Sequence, residues 1–443
     1  MIRELTLNNG MSRSICLMNL NLVFDSNSDT FSYDLTTHTA IIPTIEDLYT
    51  FISEKMTKWD NISTVSFTAR TLEDEALAIQ GYQLMSFIQF YLAARSRLSN
   101  KMVCYNAEIK DEAEPHIREC VQELTRMNTG GKYIRGTLSN LGYHLFASED
   151  VSYSDALALS FELFQTAILI HDDIIDHASF RRNQETIPLS YRLRWKAKRQ
   201  QIKDEDMLDV ANSLAICAGD YGMYLANQKL LSSYKSDHNL GKLLIYFNQV
   251  ILKTIKGEIV DVVLPFEEKY QLSENEDIFD SVVEIYRLKT AWYTLIGPLC
   301  TGAILAGCQE TELHELEKFA EEIGIAFQIK DDILGVFANT ETLGKNVGSD
   351  ISEFKQTMLY AYVRTSDEYY DQLRDYYGRS ISKEELITVQ EIFRASGALK
   401  FAEEKMDKHF LAAKRVLDNI TYIPSSQKDI LYGLLIYMKY RHK

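Results

Sequence analysis

The sequence predicts an all-α helical bundle with a buried central layer, preceded by a small α+β module. Three observations carry this. Helical periodicity runs almost unbroken from about Thr71 onward. Only 6 Pro and 20 Gly punctuate 443 residues, which argues against collagen-like, low-complexity and loop-rich all-β classes. Hydrophobic residues make up 46% and charged residues 25%, enough for a large core and wrong for a disordered chain. The length suits one large domain plus a smaller one.

Residues 1–70 form the α+β module. IRELTL, SICLMNLNLVF, TFSYDLTTHTAII and ISTVSFTA are rich in Ile, Thr, Val, Phe and Leu and read as strands. PTIEDLYTFISEKMTK (43–58) opens on Pro and has apolar residues at helical spacing. The module contains no cluster of chemistry-bearing residues, so residues 1–100 are expected to be dispensable for any chemical step. A connecting helix over 71–100 puts acids first and Arg last, as the helix dipole prefers. The main domain, 101–443, follows. Helical patterns recur around 111–127, 153–176, 207–233, 239–262, 276–307, 311–336, 353–377, 383–397, 398–418 and 426–440, with no strand-like alternation. Residues 290–309 carry no charge and are long enough to span a bilayer. Their three Gly, three Thr, Pro and Gln, and the adjacent Lys289, favour a helix buried in the core, so no transmembrane segment is expected.

The net charge of −16 excludes nucleic-acid binding through a broad basic surface. An anionic ligand must be held by local cations or by metal. The start MIRELTLNNG lacks an apolar signal-peptide run. The six cysteines show no CxxC spacing and read as reduced thiols, which predicts a cytoplasmic protein.

The segment FELFQTAILIHDDIIDHASFRR (161–182) is the most informative. An apolar helix runs into Asp172, Asp173 and Asp176. Positions 172 and 176 share one helical face, one turn apart, so their carboxylates repel. At a helix C-terminus they also face the negative end of the dipole. A hard divalent cation such as Mg²⁺ offsets both, taking one or two carboxylates and leaving positions for water and phosphate. The alternative is a solvated acidic helix end. A second run, AEEIGIAFQIKDDILGV (320–336), repeats the pattern with Asp331 and Asp332, but its i+4 position is Gly335. Cations complete the balance. Lys132 and Arg135 lie in TGGKYIRG, whose two glycines let backbone approach a ligand. Arg181 and Arg182 follow the first acidic cluster; Lys289 and Thr290 open the uncharged stretch; Lys345 lies in LGKNVGSD and Lys355 in EFKQT. Arg suits bidentate phosphate binding and Lys supplies a point charge.

On these segments the chain resembles the trans-isoprenyl diphosphate synthases, most closely those making geranylgeranyl or farnesyl diphosphate. HDDIIDHASFRR looks like that family's DDxxD motif with its arginine pair, and TGGKYIRG like its isopentenyl-diphosphate motif. AICAGDY, YRLKTAWYT, FQIKDDILGVF and GKNVGSDISEFKQT match further segments in order, over roughly residues 100–443. The resemblance implies the isoprenoid synthase fold, antiparallel helices around a central cavity, in a homodimer. It implies a prenyltransferase reaction with about three Mg²⁺ ions clamping an allylic diphosphate, whose carbocation isopentenyl diphosphate attacks. By position it implies Asp172, Asp173, Asp176, Asp331, Asp332 and Asp350 at the metals. It gives Arg181, Lys289 and Lys345 to the allylic diphosphate, and Lys132, Arg135, Gln165 and Arg182 to isopentenyl diphosphate; Lys355 is a further candidate for substrate binding. Thr290 and Gln328 would steady the cation and the departing proton.

Some features depart from the pattern. The second motif, DDILG, lacks its third acid. NQETIP follows the arginines where the family usually has GxPT. The basic segment RLRWKAKRQ (192–200) reads as an extended solvated loop, with a lid or partner contact as the alternative. The terminal YRHK is a basic tail of the kind that can cover the isopentenyl site. Product length depends on the residues before the first Asp. Family members that stop at fifteen carbons carry a bulky aromatic at the positions occupied by Ala167 and Ile168, and here Phe164 stands one turn deeper. That predicts geranylgeranyl diphosphate. A terpene cyclase, a peptide prenyltransferase and a non-catalytic regulatory subunit remain rival readings. The isopentenyl-site cations speak against a cyclase, and the retained acids against a silent subunit.

Overall fold

The computed structural model describes residues 22–25, 30–33, 45, 46, 49, 72–115, 117–147, 150–198, 203–270, 278–338 and 348–441. Most of the predicted N-terminal strands and helix therefore lie outside the described residues, as do Lys345 and residues 199–202. Within the module, β1 (Leu22–Asp25) and β2 (Thr30–Tyr33) pair antiparallel, Leu22 opposite Tyr33.

The described helices are α1 (Leu72–Glu112), α2 (Arg118–Met127), α3 (Ile134–His144), α4 (Asp155–Ile175), α5 (Ile187–Lys198), α6 (Asp204–Ser233), α7 (Leu240–Lys269) and α8 (Ile278–Ile285). After α8 the chain winds as a π-helix over Tyr286–Ile296, then returns to α geometry in α9 (Gly297–Leu305). There follow α10 (Glu310–Phe337), α11 (Ser349–Ser352), α12 (Met358–Val363), α13 (Asp367–Leu373), α14 (Lys383–Ala395), α15 (Ala398–Asn419) and α16 (Ser425–Tyr440). The fold is all-α, as the sequence predicts.

Three elements differ from the sequence reading. A short hairpin, β3 (Phe180–Arg181) and β4 (Gln184–Glu185), stands where no strand was expected. The segment read as an extended loop from 192 is helical as far as Lys198, as part of α5, which packs on α6. The pattern read as one helix over 276–307 is three pieces with a π-helical middle.

The chain divides into two compact units. One comprises residues 1–93 with 413–442. Its described part includes the first half of α1 against α16, with Phe87, Tyr91 and Tyr437 ring to ring at 5.1–6.2 Å and Tyr49 against Tyr437 at 5.8 Å. Gln83 donates to Asp429 at 3.1 Å.

The other unit, residues 94–412, has its core between α4 and α6, α3 and α9, and around the π-helix, which α7 and α10 flank. The uncharged stretch is this unit's centre: Ala291, Leu295, Leu299, Cys300 and Ala303 are fully buried. None of the described helices is long and apolar enough to cross a membrane. Cys104, Cys120, Cys217, Cys300 and Cys308 are free thiols.

Candidate active site

The first acidic cluster closes α4. Asp176 is its C-cap, and His177 follows at φ 52°. The amides of His177 and Ala178 return to the carbonyls of Ile174 and Asp173, a Schellman ending with His in the place glycine usually takes. Three aspartates thus crowd the negative end of a helix that has no basic residue in its last turn. The compensating charge comes from three other segments. Arg181 from β3 donates to Asp172 Oδ2 at 2.7 Å and to Asp173 through Nε. Lys289 from the π-helix lies 3.5 Å from Asp172. Lys355, following α11, donates to Asp176 at 3.1 Å and pairs with Glu353 at 2.9 Å.

Lys289 has further partners that the sequence reading did not single out. Asp261 and Glu258 of α7 hold its ammonium at 2.6 and 2.8 Å. Burial works against its charge, but Asp261 and Asp172 outweigh that and hold its pKa above the usual lysine value. Burial pushes Glu258 up, with Lys289 pulling the other way. Lys355 behaves like Lys289: burial opposes its charge, and Asp176 and Glu353 restore it with a margin. The signal for the α7 pair was two acids three residues apart in the otherwise apolar GEIVDVV.

The next residue on the π-helix reaches the second cluster. Thr290 donates to Gln328 Oε1 at 2.6 Å, and Gln328 Nε2 donates to Asp332 Oδ1 at 2.8 Å. Tyr286 donates its hydroxyl proton to the other oxygen of Asp332 and accepts from the Met358 amide at 2.7 Å. Asp332 is 4% exposed, and burial, reinforced by Asp350, holds its pKa well above the carboxylate range. Asp331 is half-buried beside it. Two glycines let the flanking helices approach the π-helix this closely. A Cβ on Gly257 of α7 would lie 2.3 Å from the Lys289 backbone nitrogen, and one on Gly324 of α10 2.3 Å from the Ala291 Cβ. The missing third acid of the second motif also has an account: a Cβ on Gly335 would meet the Asp350 carboxylate at 2.6 Å. Asp350, from α11, occupies the space a side chain at 335 would fill.

Of the expected isopentenyl residues, Lys132, Arg135 and Arg182 gather around the TGGK turn. Gly130 has φ 75°, and Tyr133 begins α3 at φ 55°. Lys132 is exposed. The Arg182 guanidinium lies 3.4 Å from where a Cβ on Gly131 would stand. Arg135 is buried over the Tyr293 ring at 3.9 Å and donates to Thr294 at 2.7 Å, while its Nε has no hydrogen-bond partner among the described residues. Glu162, unnoticed in the sequence, accepts from the Gly136 amide at 2.8 Å. Burial raises its pKa, and the Gly136 amide, Arg135 and Arg182 oppose the rise. Gln165 is half-buried one turn along α4. Deeper on α4, Phe164 is fully buried and edge-on to Phe247 and Tyr293, at 6.0 and 6.4 Å. Ala167 is buried opposite Gly222 of α6, and Ile168 is half-buried.

The donor set of the acidic clusters is all carboxylate, without His or Cys, which fits a hard cation. Among the described residues no three such donors converge on one point.

Known proteins share this architecture. The Polyprenyl synthetase family model matches residues 114–395. The geranylgeranyl diphosphate synthase of Sulfolobus acidocaldarius is 30% identical over 318 residues, 70% of this chain and 86% of that protein. The octaprenyl diphosphate synthase of Escherichia coli is 27% identical over 69% of this chain and 84% of its own length. The crystal structure of geranylgeranyl pyrophosphate synthase from Corynebacterium glutamicum, complexed with isoprenyl diphosphate and magnesium, superposes with a TM-score of 0.69 at 29% identity. It covers 79% of this chain and 98% of that one. On these matches the chain belongs to the polyprenyl synthetase family and is an isoprenyl diphosphate synthase, a prenyltransferase.

Proposed function

We propose that this enzyme joins an allylic diphosphate to isopentenyl diphosphate with Mg²⁺, releases pyrophosphate, and stops at geranylgeranyl diphosphate. The observation that carries the reading is the Lys289–Thr290 step, from which one side chain reaches the acids of α4 and the next, through Gln328, those of α10. Arg181, Lys289 and Lys355 would meet charge developing on the departing diphosphate. When bound, Mg²⁺ ions held by Asp172 and Asp176 on one side and by Asp331 on the other would supply Lewis-acid stabilisation of that leaving group. Asp332 and Asp350 would orient the second cluster from behind. Lys132, Arg135, Gln165 and Arg182 would bind isopentenyl diphosphate, with Glu162 beside Arg135 and Arg182. Buried aromatic walls exclude water from the allylic cation. The released pyrophosphate is the base that takes the proton.

Relatives span several product lengths, among them geranylgeranyl, geranylfarnesyl and octaprenyl. The twenty-carbon assignment therefore rests on Phe164. It lies eight residues before Asp172, about 12 Å down the helix, and with Phe247 and Tyr293 it forms an aromatic floor. The reading includes a cytoplasmic homodimer. Two 30-residue helices support the dimer: Val210, Cys217, Tyr224 and Leu231 on α6, and Ile245, Leu252, Ile259 and Phe266 on α7, are all exposed at seven-residue spacing. Such a repeat suits a helical seam with a second copy.

Incubation with Mg²⁺, labelled isopentenyl diphosphate and each allylic diphosphate, followed by chromatography of the dephosphorylated products, tests the reading. A twenty-carbon product supports it; a cyclic hydrocarbon, or no condensation with any primer, refutes it.

A further inference from the structure

The β3–β4 hairpin carries both site arginines but has little to stabilise it alone. Each strand is two residues long, and the turn runs through Arg182 and Asn183 at φ 53° and 60°. Two consecutive left-handed residues without glycine are unfavourable, and so short a hairpin does not stand by itself. On one side Arg181 anchors it to α4. On the other, Arg126 from the last turn of α2 grips it with both ends of its fork. Nη1 donates to Gln184 Oε1 at 3.2 Å and Nη2 to the Glu185 carbonyl at 2.9 Å.

The backbone of the same residue holds the TGGK turn. The Arg126 carbonyl accepts from Thr129 Oγ1 at 2.7 Å and from the Thr129 amide. Arg126 is itself braced. Glu123, 6% exposed, accepts from it with Oε2 at 2.7 and 3.1 Å, and spends its other oxygen on Arg194 of α5. Arg194 in turn donates to Glu119 at 2.9 Å and to Ser190 at 3.1 Å.

We propose that Arg126, braced by Glu123 and Arg194, is a positioning residue that fixes the spacing between the TGGK turn and Arg182, and so sets affinity for isopentenyl diphosphate. This rests on the assignment of that site above. Arg181 has its own anchor on α4, so the allylic side depends on the brace far less.

Steady-state kinetics on the full chain test this, with calorimetric titration of isopentenyl diphosphate in parallel. Arg126→Met should raise the isopentenyl-diphosphate KM about fivefold or more, while kcat and the allylic KM stay within about twofold. Arg126→Lys keeps the charge beside Glu123 but cannot make the two-pronged contact, so it should rescue only in part. Gln184→Ala, at an exposed side chain, should give a smaller rise in the same KM. A fall in melting temperature with both KM values unchanged, or an equal rise in both, overturns the proposal. Should Arg126→Met fail to fold, Arg126→Lys and Gln184→Ala decide by the same criteria. A wild type that binds isopentenyl diphosphate but condenses it with nothing refutes the function proposed above and leaves the titration to judge the brace. One that does not bind it overturns both.

Discussion

Asp172 sits where three charged groups meet, and its replacement separates chemistry from stability. Without it, Arg181 keeps Asp173, and Lys289 keeps Asp261 and Glu258. Asp172→Ala should therefore cut turnover at least about a hundredfold with little change in melting temperature; near-normal turnover would sink the metal assignment. Asn183 is a test of the backbone alone. At φ 60° Asn is tolerated next best after Gly, which accounts for Asn where the family usually has Gly. Asn183→Gly should be close to neutral by denaturant melts, whereas Asn183→Val should cost about 1–2 kcal/mol. The aspartates were legible because like charges on one helical face demand an explanation. Glu162, Tyr286 and the Gly335–Asp350 exchange were not. Each depends on which segment lies opposite, and a single buried Glu or a Gly after an Asp pair has no local signature.

At the scale of elements, periodicity located the helices and missed what has no period. Two-residue strands are too short to alternate, so the β3–β4 hairpin was invisible. In α5 the closely spaced basic residues of RLRWKAK hid the helical face that packs on α6. The π-helical stretch kept its apolar character, and nothing in YRLKTAWYTLI separates it from an α-helix; only Gly257 and Gly324 opposite it mark the tight fit. The α4 and α7 faces yield two predictions. Ala167→Phe should place a ring nearly one turn above Phe164 and shorten the product to fifteen carbons, and Phe164→Ala should lengthen it, read by chromatography of the dephosphorylated products. A fifteen-carbon product from the wild type would mean another residue forms the floor. The exposed heptad on α7 gives the other: Leu252→Glu places a charge in the middle of the seam and should convert a dimer into a monomer in analytical ultracentrifugation. An unchanged mass would show that the stripe is not the interface.

For the whole molecule, the question is how much of the chain the chemistry needs. None of the proposed ligand residues lies before residue 100, which by itself suggests that residues 1–100 can be removed. The packing draws the line elsewhere. Within the first unit, α16 lies against the first half of α1, where Leu84, Phe87, Ile88 and Tyr91 are buried together with Leu431, Leu434 and Met438. A Cβ on Gly433 would come within 1.9 Å of the Gln83 carbonyl, so the two helices are in backbone contact. A chain beginning at 100 would leave α16 without its partner and expose several large apolar side chains, each worth about 1.5–3 kcal/mol when buried. A chain beginning at 71 keeps α1 whole and gives up the β1–β2 pairing and the buried Ile45 and Tyr49, with the ring contact of Tyr49 on Tyr437. The 71–443 protein should therefore remain soluble and condense its substrates at close to the full rate, while 100–443 should aggregate or melt far lower. Soluble yield, melting temperature and turnover measured on both would decide. If 71–443 folds with a normal melting temperature but is inactive, the N-terminal module takes part in catalysis, and the assignment of the whole site to the second unit is wrong.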